Sequence, residues 1–147
     1  MTSLTTTLPG TWRLLRRFDR TAKGERRTEP AAESDHLALL IYDRAGNFAA
    51  QFMKRDRSAP LADVPAPSAA NNSRAIGGYD AYFGTYTINE ADGTVTQQLV
   101  GALSKENVGL VVTRQMKVEG DTLTVQLDTT SAQGEPVVRT LIWQRAG

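Results

Sequence analysis

The chain has 147 residues, 40% of them hydrophobic, a net charge of +1 and no cysteine. That length suits a single domain, 1–147, able to bury roughly 70% of the surface its unfolded chain exposes. A near-neutral balance excludes a global field toward nucleic acid or an anionic membrane, and the lack of cysteine excludes a disulfide framework and any thiolate metal or redox site. The opening segment, MTSLTTTLPGTW, carries neither a basic n-region nor an apolar h-region, and no run of about 18 apolar residues follows, so a cytoplasmic protein is expected.

Eight runs rich in β-branched and aromatic residues read as strands: about 11–19, 37–43, 47–54, 81–89, 94–102, 109–118, 122–129 and 137–145. Short connections with glycine, DRAG at 43–46, ADG at 91–93 and EGD at 119–121, predict antiparallel hairpins between sequential strands. No apolar pattern at helical spacing lies between them, which argues against parallel crossovers. An eight-stranded antiparallel up-and-down meander hides its edges by closing its first strand onto its last. The predicted fold is therefore an all-β barrel wide enough for side chains or one small ligand.

Two connections are long. Residues 20–36 are polar, and seven of the 17 Lys and Arg fall between Arg13 and Arg27, where Asp19, Glu25 and Glu29 dilute them into a solvated strand edge and loop. Residues 55–78 contain Pro60, Pro65 and Pro67. They predict a lid loop, or a short helix from Pro67 to about Ile76 ended by Gly77 and Gly78, across a barrel mouth.

Strand alternation assigns faces. In GTWRLLRRF, residues 10–18, Trp12, Leu14, Arg16 and Phe18 share the apolar face, while Arg13, Leu15 and Arg17 point outward. With Gly120-Asp121 as a two-residue turn, Val118 opposes Leu123, Met116 opposes Val125, and Arg114 opposes Leu127 on the inner face. In the last strand Val137, Arg139, Leu141, Trp143 and Arg145 alternate against a more polar face. If Asp92-Gly93 is a two-residue turn, Ile88 opposes Gln97, Tyr86 opposes Leu99, and Tyr82, Tyr86 and Gln97 share one face. The 43–46 turn leaves open whether Gln51 points inward with Met53 or outward.

Arginines at inward parity require partners, because a lone buried guanidinium costs several kcal/mol. Arg16 and Arg145 admit a structural reading at a barrel end, stacked on Trp12. Arg114 lies mid-strand, where it reads either as a buried ion pair or as a cavity cation for a carboxylate, enolate or phenolate. Tyr82 and Tyr86 read as core aromatics or as phenols that donate to a ligand oxygen or act as a general acid. His36, the single histidine, reads as a solvated loop residue. With no cysteine it excludes a His-rich zinc site, and neither a GxSxG elbow, a phosphate loop nor a dinucleotide fingerprint is present. No metal or cofactor is expected.

Five blocks, GTWRLL at 10–15, LIYDRAGNFAAQFMKRDR at 40–57, GYDAYFGTYTI at 78–88, GTVTQQLVGALSKENVG at 93–109 and LIWQR at 141–145, together resemble the small lipocalin-like domain family of bacteria and fungi. The resemblance implies an eight-stranded barrel with an interior cavity, and it makes Arg145 similar to the arginine that caps the floor tryptophan of lipocalins. Some related small barrels act as cyclases or isomerases in natural-product pathways. The block Gln97-Gln98 departs from the family's pattern, which often carries histidines there, so a metal site or imidazole base at those positions is not implied.

The expected function is to bind a small hydrophobic molecule carrying an anionic or carbonyl group, with Arg16, Arg114, Arg139, Tyr82, Tyr86, Gln97, Gln51 and Trp143 as ligand contacts and Trp12 and Arg145 as structural residues. The alternative is a cofactor-independent cyclase, isomerase or pericyclase in the same cavity, with Arg114, Tyr82 and Tyr86 polarising a carbonyl. A small molecule is the expected partner, with a homodimer possible, and neither nucleic acid nor membrane.

Overall fold

The computed structural model describes residues 3–27, 36–55, 78–130 and 134–147. A four-residue helix α1 (Leu4–Thr7) precedes β1 (Gly10–Thr21), β2 (Arg26–Arg27), β3 (His36–Tyr42), β4 (Asn47–Lys54), β5 (Tyr79–Asn89), β6 (Thr94–Ala102), β7 (Val111–Glu119), β8 (Thr122–Thr130) and β9 (Pro136–Arg145), with a 3-10 turn at Lys105–Asn107. All pairings are antiparallel and follow chain order from β3 to β9, and β9 returns to β1 to close an eight-stranded barrel. The two-residue β2 pairs only with the end of β1. The lid expected at 55–78 falls almost wholly on residues 56–77, outside the described residues.

Alternation produces the barrel wall. Leu123, Val125 and Leu127 of β8 are buried, whereas Gln126 and Asp128 between and after them are exposed. The β7–β8 connection is a two-residue turn: Glu119 opposes Thr122, and Gly120 supplies the left-handed residue at φ 58°. Val118 pairs with Leu123 and Met116 with Val125. At the β5–β6 hairpin the loop is longer than two residues, so Tyr86 opposes Gln97 and Ile88 opposes Val95. The shift of two residues from the expected pairing leaves every face unchanged.

One end of the barrel is closed by α1 and the segment after it. Ser3 caps α1 at its N-terminus, and Leu8 behind it is wholly buried. The Trp12 indole donates from Nε1 to the Leu8 carbonyl at 3.0 Å, while the Arg145 guanidinium lies over the Trp12 ring at 4.3 Å and donates to the carbonyls of Pro9 and Thr7. The β3–β4, β5–β6 and β7–β8 hairpins converge at this floor, and α1 is tied there by Leu4 N–H donating to Glu90.

β1 contains the main departure from regular alternation. The β1–β9 register slips between Leu14 and Arg16, leaving Leu15 as a bulge. Trp12 and Leu14 point inward before it; after it Arg17 and Asp19 face the positions of Leu141 and Arg139, and Arg16 lies opposite Ile142. Arg16 is exposed, and Phe18 lies outward of the core with Arg20 over its ring at 5.4 Å. The inward assignments of Arg16 and Phe18 and the outward one of Arg17 are thus reversed by one extra residue.

Candidate functional site

The inner faces of β3 to β9 enclose a cavity of about 40 Å³ lined by Leu40, Tyr42, Phe52, Tyr82, Gln97, Arg114, Met116, Val125, Leu127, Leu141 and Trp143. That is space for about three water molecules. It accommodates the end of a small molecule rather than a whole lipid. Five strands supply its polar groups: Tyr42 from the last residue of β3, Tyr82 from β5, Gln97 from β6, Arg114 from β7 and the Trp143 indole from β9.

These groups are ordered by hydrogen bonds and burial. Gln97 donates from Nε2 to the Tyr42 hydroxyl oxygen at 2.5 Å, and the Tyr42 hydroxyl in turn donates toward the thioether sulfur of Met116 at 3.9 Å. A thioether is a weak acceptor, so the phenol proton is poorly used. Burial pushes the Tyr42 phenol far above its ordinary range, and the phenol of Tyr82 adds to the rise; the Gln97 hydrogen bond and the Arg114 charge oppose it. Burial lowers the Arg114 guanidinium, whereas Tyr82 and Tyr42 raise it and Arg139 lowers it further. Arg114 also donates to the neighbouring Thr113 carbonyl at 3.4 Å. Trp143, only 2% exposed, has a buried indole N–H with no acceptor.

Arg114, Tyr82, Gln97 and Trp143 are therefore brought together, and four other expected contacts are not. Arg139 is inward but is held by Asp19, with Nε and Nη2 donating to the two carboxylate oxygens at 2.9 and 3.2 Å. Tyr86 places its ring edge-on against Tyr42 at 4.9 Å and donates its hydroxyl to the Asp43 carbonyl, so its polar atom serves the floor loop instead of the cavity. Gln51 is exposed and accepts from the Tyr79 hydroxyl on the outer face, because Gln51 pairs with Leu39 between the inward pairs Leu40–Ala50 and Ala38–Phe52. Arg16 is turned out by the Leu15 bulge. His36 is the first residue of β3, half-buried and opposite Lys54, in place of the expected solvated loop. Among the described residues no three His, Cys, Asp or Glu gather as a metal site.

Two polar side chains of the inner face were not anticipated. Tyr42 escaped because the 43–46 turn left the parity of 37–54 undecided; the Asp43 carboxylate accepting the Ala45 and Asn47 N–H groups settles that loop and sets Tyr42 against Phe48, both inward. Asp80 escaped because β5 begins two residues before the expected start. It lies two positions from Tyr82 on the same face and opposite Phe52, wholly buried, with no side chain bonded to either carboxylate oxygen. Burial pushes its carboxyl up to about 6, against a smaller opposite effect of the Ala81 main-chain N–H.

No helix among the described residues is long and apolar enough to cross a membrane. Residues 9–146 match a family model described as the lipocalin-like domain, and the chain belongs to that family. No curated protein matches the chain.

Proposed function

We propose that this lipocalin-like barrel binds a small, largely apolar molecule by an acceptor oxygen at one end, a carboxylate, enolate, phenolate or ketone, seated against Arg114, Tyr42 and Trp143. The observation that carries the reading is a pair of buried donors short of acceptors, Trp143 and Tyr42, in the lining of one cavity that also holds Arg114. The Trp143 N–H has no acceptor, the Tyr42 hydroxyl has only a thioether, and the Arg114 guanidinium lines the same cavity. The Trp143 N–H and the Tyr42 hydroxyl, buried and short of acceptors, cost free energy that a ligand oxygen relieves. Aliphatic walls from Leu40, Val125, Leu127 and Leu141 favour an apolar body behind the oxygen.

The cavity is small for an entire hydrophobic ligand, so it serves as the polar terminus and the remainder of the molecule lies toward the mouth. A cytoplasmic setting and a small-molecule partner agree with this reading. Titration of the protein with hexanoate and with 1-hexanol, followed by Trp143 fluorescence, tests it. Hexanoate is expected to bind at least tenfold more tightly, and Arg114→Met to remove most of that difference, since a charge-assisted hydrogen bond contributes about 1.5–3 kcal/mol. Equal affinity for the two probes, or an unchanged difference in Arg114→Met, overturns the proposal.

A further inference from the structure

The outer wall of the barrel is uneven. Five of the nine exposed large hydrophobic side chains among the described residues gather at one corner: Phe83 on β5, Val100 on β6, Leu103 and Val108 on either side of the 3-10 turn, and Val111 at the start of β7. The other four, Leu15, Leu37, Ile41 and Val138, are spread over β1, β3 and β9. Pairing makes the five contiguous. Phe83 lies opposite Gly101, Val100 is the extra residue of the β5–β6 bulge beside it, and Val111 lies opposite Gln98, two residues before Val100. Leu103 donates its N–H to the carbonyl of Ala81, two residues before Phe83, and Gly109, next to Val108, donates to Leu99. The corner stands at the end of the barrel away from α1, because β5–β6 and β7–β8 turn at the floor and β6–β7 at the opposite end.

A glycine holds the largest of the five in place. A β-carbon at Gly101 would collide with the Phe83 ring, so the ring lies flat across β6 because residue 101 has none. Gly101 shields one face of the ring, yet Phe83 remains 56% exposed, and the five residues range from 48 to 60%. Together they present about 500 Å² of apolar surface, at the upper end of the largest patch that a lone soluble chain ordinarily carries, and patches of that size mark interaction sites.

We propose that this corner is the contact face of a homodimer, with a second copy of the chain seated on the same five residues about a two-fold axis. Area, charge and backbone pairing each select that occupant. Self-pairing buries the patch twice, about 1,000 Å² from these residues alone, which reaches the size at which specific association begins. The exposed neighbours along the three strands, Thr85, Gln98 and Thr113, are neutral, and a net charge of +1 gives two copies little mutual repulsion. Between Leu103 and Val108 the exposed charges are Lys105 and Glu106, adjacent and opposite in sign, so a two-fold pairing sets the lysine of one copy against the glutamate of the other. An added peptide strand fits less well. Leu99 donates to Leu110 and accepts from Gly109, which closes β6 against the start of β7 and leaves side chains, rather than main-chain groups, as the contact. A lipid surface also fits less well, because one lysine beside a glutamate gives anionic headgroups little to hold.

Sedimentation velocity of the full chain, from about 2 to about 200 µM, reads the mass directly. Wild-type protein is expected to pass from the one-chain mass toward the two-chain mass across that range. Val111→Glu and Phe83→Asp are each expected to weaken association at least tenfold, because a charge is then buried against an apolar face. Val111 is the most exposed of the five, so Val111→Glu disturbs no core packing and decides the matter where Phe83→Asp fails to melt cooperatively. Gln144→Glu, on the outer face of β9, is expected to leave association unchanged. A wild type that stays monomeric at about 200 µM overturns the proposal, as does a dimer that Val111→Glu leaves as strong as before or that Gln144→Glu weakens equally. A monomeric wild type that floats with phosphatidylcholine vesicles, where Val111→Glu does not, overturns the second copy and gives the corner to a lipid surface.

Discussion

Asp19 and Arg139 face each other across the seam that closes the barrel, and the guanidinium bonds both carboxylate oxygens with 8% and 12% of the respective side chains exposed. A two-point arginine–carboxylate contact of this kind satisfies the buried charge that an isolated arginine would carry. The pair therefore explains one inward arginine as part of closure, and it separates Arg139 from Arg114, which lies in the cavity wall.

Removing one partner should expose this dependence. Asp19→Ala leaves Arg139 buried without its carboxylate and is expected to cost about 3–5 kcal/mol in urea-monitored unfolding. The double replacement Asp19→Leu with Arg139→Met is expected to recover most of that loss, because two apolar side chains of similar volume need no compensation. A double variant as unstable as Asp19→Ala would mean that the seam depends on the ion pair itself.

The barrel, its strand order and the inward position of Arg114 were legible because hairpin turns fix relative parity: a two-residue turn at Gly120 ties Met116 and Arg114 to the face of Val125 and Leu127. What the sequence did not reveal lies where parity is broken locally. The Leu15 bulge carries no glycine, proline or other turn residue, so the alternation in TWRLLRRFD reads as continuous although the structure reverses it after Leu14. The same reversal turned Asp19, read as part of a solvated charge run, into the partner of Arg139. At Tyr42 the obstacle was turn length, and at Asp80 it was a strand boundary, the least determinate feature of an extended segment.

The bulge makes a direct prediction for Arg16. Arg16→Ala is expected to change stability by less than about 0.5 kcal/mol and to leave hexanoate affinity unchanged, since the side chain is exposed. Deleting Leu15 would instead restore simple alternation and drive Arg16 inward and Asp19 outward, stranding Arg139. A deletion variant that still melts cooperatively near the wild-type temperature would show that the seam tolerates either register.

Arg145 at the floor is expected to behave as a structural clamp. It stacks on Trp12 and donates to two main-chain carbonyls of the segment after α1. Arg145→Ala should lose the cation–π contact and leave the Pro9 and Thr7 carbonyls to find water, at about 2 kcal/mol. Arg145→Lys should recover less than half, because an ammonium cannot stack flat and reach both carbonyls. Thermal melts of the three proteins decide this, and full recovery by lysine would reduce the clamp to a point charge.

Tyr42→Phe keeps the ring packed on Phe48 and Tyr86 and removes only the hydroxyl. Gln97 Nε2 then loses its buried acceptor, at a cost of about 1–2 kcal/mol in unfolding free energy. Hexanoate affinity should fall roughly tenfold because the phenol proton is one of the donors offered to its carboxylate. Retained affinity with the expected loss of stability would assign the hydroxyl to orienting Gln97 alone.

Asp80 couples the fold to pH, with a definite sign. Its carboxyl holds its proton in the folded chain up to about 6, whereas the ordinary value is 3.8. Native protein therefore binds more protons than unfolded protein between those values, and stability falls as pH rises through that window: the contribution is complete below 3.8 and gone above about 6. Asp80→Asn abolishes the titration while keeping the shape. At pH 7.5 the variant avoids an unpartnered buried charge and is expected to be the more stable by about 1–2 kcal/mol, or roughly 5 °C in Tm. At pH 4 the two proteins should melt within about 1 °C of each other, because both side chains are then neutral there. A difference in Tm that stays constant from pH 4 to pH 7.5 would show that the carboxylate finds a partner in solution.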